Sequence, residues 1–182
     1  MLKWFMKRKL RAFGEAFGYD TSYGAELIDI DPAAGFALGR LSAVASYRAD
    51  APAAVWYVAK IVAAMSEDCG PCTQLSVTMA ERGGVSEGDL RAIVAGDPGR
   101  MSTEASVGYR FARALLARSE QLDDLREEIV RRWGRKALIA VAFCIASGRT
   151  FPVLKYALGH GHSCQRIEIG GATLAPHKLA HA

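Results

Sequence analysis

The chain has 182 residues, is 51% apolar and 23% charged, and carries a net charge of +4, a composition suited to one soluble domain with a buried core. No run of about 18 uncharged apolar residues occurs, so no membrane-spanning helix is expected. The whole net charge sits in residues 1–18, where Lys3, Lys7, Arg8, Lys9 and Arg11 face Glu15 alone and the rest of the chain is balanced, which argues against a nucleic-acid-binding surface on the core.

In chain order, residues 1–18 read as a basic amphipathic helix with Leu2, Phe5, Met6, Leu10, Phe13 and Phe17 on one side. Such a helix suits an acidic membrane surface, but Gly14 and Gly18 weaken it as a free element. The expectation is therefore a terminal helix docked on a core groove or a subunit. It is not a secretory signal, because its charges interrupt the apolar run and no small-residue cleavage site follows. Leu27 to Ile30 alternates briefly and is expected to be extended.

Asp31-Pro32 caps and opens a helix over 32–48, with Phe36, Leu41, Val44 and Tyr47 near one face. Asp50 and Pro52 open a second, through Val55, Trp56, Val58, Ile61, Val62 and Met65. Residues 66–70 break it, since Pro71 pushes Gly70 out of the α region. A third helix runs over 71–82 and stops at Gly83-Gly84. Ser86 with Asp89 resembles a capping box for a short helix ending at Gly96, and Asp97-Pro98-Gly99 is a turn. Ser102 or Thr103 caps a helix through Phe111, Leu115 and Leu116. The spacing then predicts helices over 123–133 closed by Gly134, over 136–147 closed by Gly148, and from Pro152 to about Gly159. Residues 160–182, with Arg166 to Ile169 briefly alternating, read as a surface tail. The expected fold is all-α with short loops, divided into a basic N-terminal segment (1–30), a helical domain (31–159) and a C-terminal tail (160–182).

The chemistry-bearing feature is Cys69-Gly70-Pro71-Cys72. Two thiols three residues apart can close a small disulfide and reopen it. Pro71 suits the first turn of a helix, and a helix N-terminus favours the thiolate, the reactive form of cysteine. Glu67 and Asp68 place negative charge nearby and oppose ionisation, or else accept a thiol proton. Without an export signal a reducing cytoplasm is the default, where such a pair is catalytic or metal-binding. A structural zinc site needs four ligands, and the only completion is His160, His162 and Cys164, an incomplete cluster beyond the last helix. Neither metal nor cofactor is expected. Cys144, within an apolar run, reads as a small buried hydrophobe. The tetrapeptide matches that of thioredoxin, but thioredoxin needs a strand before the motif and residues 55–65 read as a helix.

The stretch 58–72, continuing through Met79 to Glu87, together with 111–116, Trp133 to Ile139 and Phe151 to Gly159, resembles the alkylhydroperoxidase AhpD-like and carboxymuconolactone decarboxylase family. The resemblance covers about residues 33–159. It implies an all-helical homo-oligomer with thiol-dependent peroxidase or disulfide-reductase activity, acting on a peroxide or small disulfide and re-reduced by a lipoyl or thiol protein. By the same resemblance Cys72 attacks the peroxide and Cys69 resolves. The chain departs from the family in the proton relay. The histidine four residues after the second cysteine is Ser76 here, and the glutamate twelve residues before the first is Tyr57. The relay would then fall to Ser76, Tyr57, Glu67 or Asp68. A non-enzymatic scaffold with a vestigial thiol pair and a decarboxylase-like lyase remain as alternatives.

Overall fold

The computed structural model of the chain describes residues 1–163 and 166–179. Among these the fold is all-α: α1 (Leu2–Phe17), α2 (Ser22–Ile30), α3 (Pro32–Ala45), α4 (Ala53–Ser66), α5 (Gly70–Arg82), α6 (Glu87–Ala95), α7 (Thr103–Ala117) and α8 (Leu122–Ala157). The one sheet is a two-stranded antiparallel ribbon of β1 (Ile167–Ile169) and β2 (Ala172–Leu174), with Ile167 opposite Leu174.

The core is built around α4. Nine of its fourteen residues are buried, because its apolar positions run around the whole cylinder rather than along one stripe. It packs chiefly against α5, α7 and α8. The approach to α7 is backbone-close: a Cβ on Gly108 would lie 2.7 Å from the Val55 carbonyl oxygen and 3.0 Å from its Cα. Only glycine permits that spacing. Short polar links then fix the order of the helices. Asp89, buried at the start of α6, accepts from Ser102 N–H (2.6 Å) and from the Ser102 hydroxyl (2.9 Å). The capping-box position thus holds its own N-cap, accepting from the Ser86 hydroxyl (3.0 Å), and also reaches forward to hold the N-cap of α7.

The outer layer is α1, α2 and α3. Asp31 serves two helices at once. Its N–H closes α2 on Leu27 O (2.8 Å) and its carboxylate caps α3 at Ala33 N–H (2.9 Å). Residues 27–30 are therefore helical, not extended: four alternating residues are too few to override the cap at Asp31. Lys3 and Lys7 tie α1 to Asp29, and Met6, Leu10 and Phe13 face inward. The docked position expected for the basic helix is the one it occupies, although Leu2, Trp4 and Phe5 stay exposed.

Three further expectations need correction. α3 ends at Ala45 rather than near Arg48, and the Tyr47 carbonyl beyond it accepts from Trp56 Nε1 (3.1 Å). Gly134 does interrupt the chain, with φ 82° and ψ 172°, a conformation open to glycine alone, but neither Gly148 nor Pro152 ends the helix that follows. A Cβ on Gly148 would sit 3.0 Å from that of Ala63, so this glycine provides a crossing point with α4 rather than a stop. Pro152 costs one intrahelical bond, to that same Gly148 carbonyl. By length and composition α8 contains a window long and apolar enough to cross a membrane; here its Ala137, Ala140, Val141, Cys144 and Ile145 are buried in the core.

Residues 160–179 are not a detached surface tail. Ile167 and Ile169 are fully buried, and the Gln74 side-chain amide grips Glu168 like a strand partner, accepting from its N–H (2.8 Å) and donating to its carbonyl (3.1 Å). His177 N–H bonds Val94 O (2.7 Å). The alternation at 166–169 was a true strand signal, since burying every second residue against α5 and α6 needs that period.

Candidate active site

α4 and α5 form a tight hairpin, and the cysteines lie in its turn. The chain leaves α4 through Asp68, held in the left-handed region at φ 48°, and enters α5 with Cys69 as N-cap and Pro71 in the first turn. Cys69 and Cys72 are joined as a disulfide with Cα atoms 5.3 Å apart. The pair and Ala64 form a small buried cluster of their own.

The two sulfurs have different surroundings. Cys69 is fully buried beneath the C-terminal segment: it forms an isolated bridge with Ser163, and Gly70 N–H bonds His162 O (3.0 Å). Cys72 keeps 6% exposure and lies on the wall of a cavity of about 750 Å³ between the outer layer and α4, α5 and α8. One sulfur is sealed and the other faces a space large enough for a ligand.

The proposed relay residues are not gathered at the sulfurs. The Ser76 hydroxyl, one turn below Cys72, donates to the Cys72 carbonyl (2.8 Å), as Thr73 does to that of Cys69 (2.9 Å). Both spend their proton on the helix backbone. Glu67 pairs with Arg149, and Asp68 pairs with Lys178 (2.5 Å) while its carbonyl accepts from the Tyr156 hydroxyl (3.0 Å). Tyr57 sits against Gly83 at the opposite end of the hairpin and stacks edge-on to Trp56. Gly83 lies eleven positions after Cys72, roughly 16 Å along the helix. The cavity on which Cys72 lies does not include Tyr57, so its place in a thiol relay is not supported by where it stands.

Among the ligands weighed for zinc, His160 Nε2 is engaged with Glu26 Oε2 (2.8 Å) and His162 contributes its backbone to the cysteine turn. Cys164 lies outside the described residues.

Cys144 matches its expected role. It is fully buried, its Sγ donates to Trp56 O (3.3 Å), and burial pushes its thiol up to about 12. A thiol held protonated in that way is chemically inert.

The residues that sequence reasoning missed belong to the cavity. Lys60 is the one charged residue of α4. Its Nζ donates to Ala45 O (3.0 Å) and lies 4.2 Å from the centre of the Trp56 ring. Burial lowers its pKa, an effect opposed by nearby Cys144. A lone lysine in an otherwise apolar, fully surrounded helix was visible in the sequence and marks a site. Deeper between the layers, Lys155 is 2% exposed and lies over the rings of Tyr19 (4.8 Å) and Tyr23 (5.3 Å), both of which line the cavity. Burial lowers the Lys155 pKa and raises those of both tyrosines. This cluster joins the start of α2 to the end of α8, a pairing no local pattern announces.

No family model, curated protein or solved structure matches the chain.

Proposed function

We propose that the chain is a thiol-dependent oxidoreductase that cycles Cys69 and Cys72 between dithiol and disulfide, with a peroxide as oxidant, in the manner of the alkylhydroperoxidase-like proteins it resembles. The observation that carries this reading is the asymmetry of the bonded pair: Cys72 faces the cavity and Cys69 is sealed behind it. An attacking thiol needs access to substrate, and a resolving thiol needs only access to its partner.

In the reduced protein the helix N-terminus favours the Cys72 thiolate. The thiolate attacks the terminal oxygen of a hydroperoxide and the O–O bond breaks. The departing alkoxide takes the proton that Cys72 gave up, leaving an alcohol and a Cys72 sulfenic acid. Cys69 then attacks the Cys72 sulfur. Hydroxide leaves with the Cys69 proton as water, and the S–S bond forms. Two thiols are oxidised by two electrons, and one hydroperoxide is reduced to alcohol and water. An external dithiol, a lipoyl group or a thiol protein, returns the pair to the reduced state and becomes a disulfide itself. With Ser76, Glu67 and Asp68 engaged elsewhere, protons move through water in the cavity. That makes a low turnover the expectation, in a reducing cytoplasmic setting.

The test uses the reduced, desalted protein and a stoichiometric hydroperoxide. Wild type is expected to lose two thiols per peroxide and gain the Cys69–Cys72 disulfide. Cys69→Ser is expected to stop at a sulfenic acid on Cys72 that a dione reagent traps, and Cys72→Ser to leave peroxide untouched. Peroxide consumption by Cys72→Ser equal to wild type, or no disulfide in wild type, overturns the reading and favours a vestigial thiol pair.

A further inference from the structure

We propose that the cavity beside Cys72 binds a long-chain carboxylate, so that the hydroperoxide this protein reduces is one carried on the chain of a fatty-acid-type anion. The substrate assignment rests on the redox reading above; the binding assignment does not.

Two properties of the cavity carry it. The first is its length of apolar wall. Leu10 and Phe13 from α1, Leu38 from α3, Leu75 and Met79 from α5 and Phe151 from α8 enclose about 750 Å³, within the range of sites that bury most of a small-molecule ligand. A small peroxide leaves most of this surface unused, whereas an alkyl chain gains affinity with each methylene it buries. The second is the sign of its charges. Three charged residues line it, Lys9, Arg40 and Lys60, and all are cationic; no aspartate or glutamate is on the wall. Lys9 and Arg40 are exposed at its rim, while Lys60 is half-buried within. Of the three N–H groups of the Lys60 ammonium, one goes to Ala45 O. A partly desolvated cation in an apolar wall attracts an anion more strongly than the same cation in water. An amphiphile with one anionic end and an apolar chain satisfies both properties, and a hydroperoxide borne along that chain passes the wall where Cys72 stands. The reaction is then the balanced one given above, with the hydroxy acid as the alcohol product.

Displacement of a fluorescent fatty acid from the full chain tests the binding, using dodecanoate, dodecanol and dodecylammonium below their micelle concentrations. Dodecanoate is expected to compete at least about tenfold better than dodecanol and dodecylammonium worse than either, with the carboxylate advantage shrinking as salt rises. In Lys60→Met/Arg40→Ala the carboxylate-to-alcohol ratio is expected to fall towards one. Leu75→Trp, which fills the cavity without touching its charges, should weaken both. Equal binding of carboxylate and alcohol to wild type, or no displacement by either, overturns the site. The substrate assignment is read from kcat/KM for linoleate hydroperoxide against tert-butyl hydroperoxide, expected to favour the former at least about tenfold. If the two are reduced equally well, the fatty-acid assignment fails while the redox reading stands. If neither is consumed although dodecanoate binds, the redox reading and the substrate assignment fail together and the cavity remains an anion-selective lipid site.

Discussion

α4 and α3 are neighbouring helices of equal length that are built on opposite terms. α4 buries nine of fourteen residues; α3 buries only Gly35 and leaves Phe36 and Val44 exposed. The inner helices α4, α5, α7 and α8 are fixed by close packing, including backbone contact at Gly108. The outer layer α1–α3 packs on itself at Gly24 and Gly35 and is tied by caps and ion pairs, but towards α4 and α5 it encloses space rather than filling it. The cysteine pair lies at the seam, with Cys69 belonging to the packed side and Cys72 to the open side. A reactive group needs both: rigid placement from one layer and access from the other.

Thiol chemistry should show the contrast most strongly. In the reduced protein at mildly alkaline pH, Cys72 is expected to alkylate at least about a thousandfold faster than Cys144. Burial raises the Cys144 thiol from its ordinary value near 9 to about 12, and each unit costs a factor of ten in thiolate. Mass spectrometry of timed labelling reads both sites in one sample. Comparable rates would mean that the inner layer opens as readily as the seam.

Truncation tests the packing itself. Ile61→Ala in the fully buried face of α4 is expected to cost about 2–5 kcal/mol in urea unfolding. Gly108→Ala should cost about 1–3 kcal/mol, since the atoms that its methyl group meets are Val55 backbone and cannot rotate away. Leu10→Ala, half-buried on the cavity wall, should cost only about 1 kcal/mol. A Leu10 penalty as large as that of Ile61 would mean the outer layer is packed as tightly as the core.

The same division explains what could be read from the sequence. The inner helices announce themselves by caps and breakers: Asp50 and Pro52 before α4, Pro71 within α5, Gly83 after it, Ser86 and Ser102 at their N-caps. Burial on all sides left no ambiguity of period there. The outer layer was harder because its contacts are long-range. Asp31 was legible as the cap of α3, but nothing local tells that Tyr19 and Tyr23 would enclose Lys155 from the far end of α8. Gly148 and Pro152 misled for a related reason. As punctuation they stop a helix, but at a crossing with Ala63 a glycine is a spacer, and tertiary packing outweighs the one bond the proline lacks. The thiol pair was legible, but the engagement of Glu67 and Asp68 away from it was not, because their partners are Arg149 and Lys178, more than eighty residues away.

The smallest effect concerns the one lysine buried where the two layers meet. Burial depresses the Lys155 pKa below its ordinary 10.5, with Asp20 acting in the opposite direction. Below the depressed value both folded and unfolded chains carry the proton, and the folded state bears the full cost of an ammonium between Tyr19 and Tyr23. As pH rises from that value towards 10.5, the folded chain releases its proton first, the unfolded chain binds more, and stability increases. Tyr19 and Tyr23, whose pKa values burial raises, work the other way only above about pH 10. Between pH 8 and 10, urea midpoints of wild type should therefore gain on those of Lys155→Met, by a fraction of a kcal/mol. Lys60 carries the same sign of shift, but it is present in both proteins and cancels. Parallel curves would place the Lys155 ammonium in contact with water and would loosen the boundary between the layers at that end of α8.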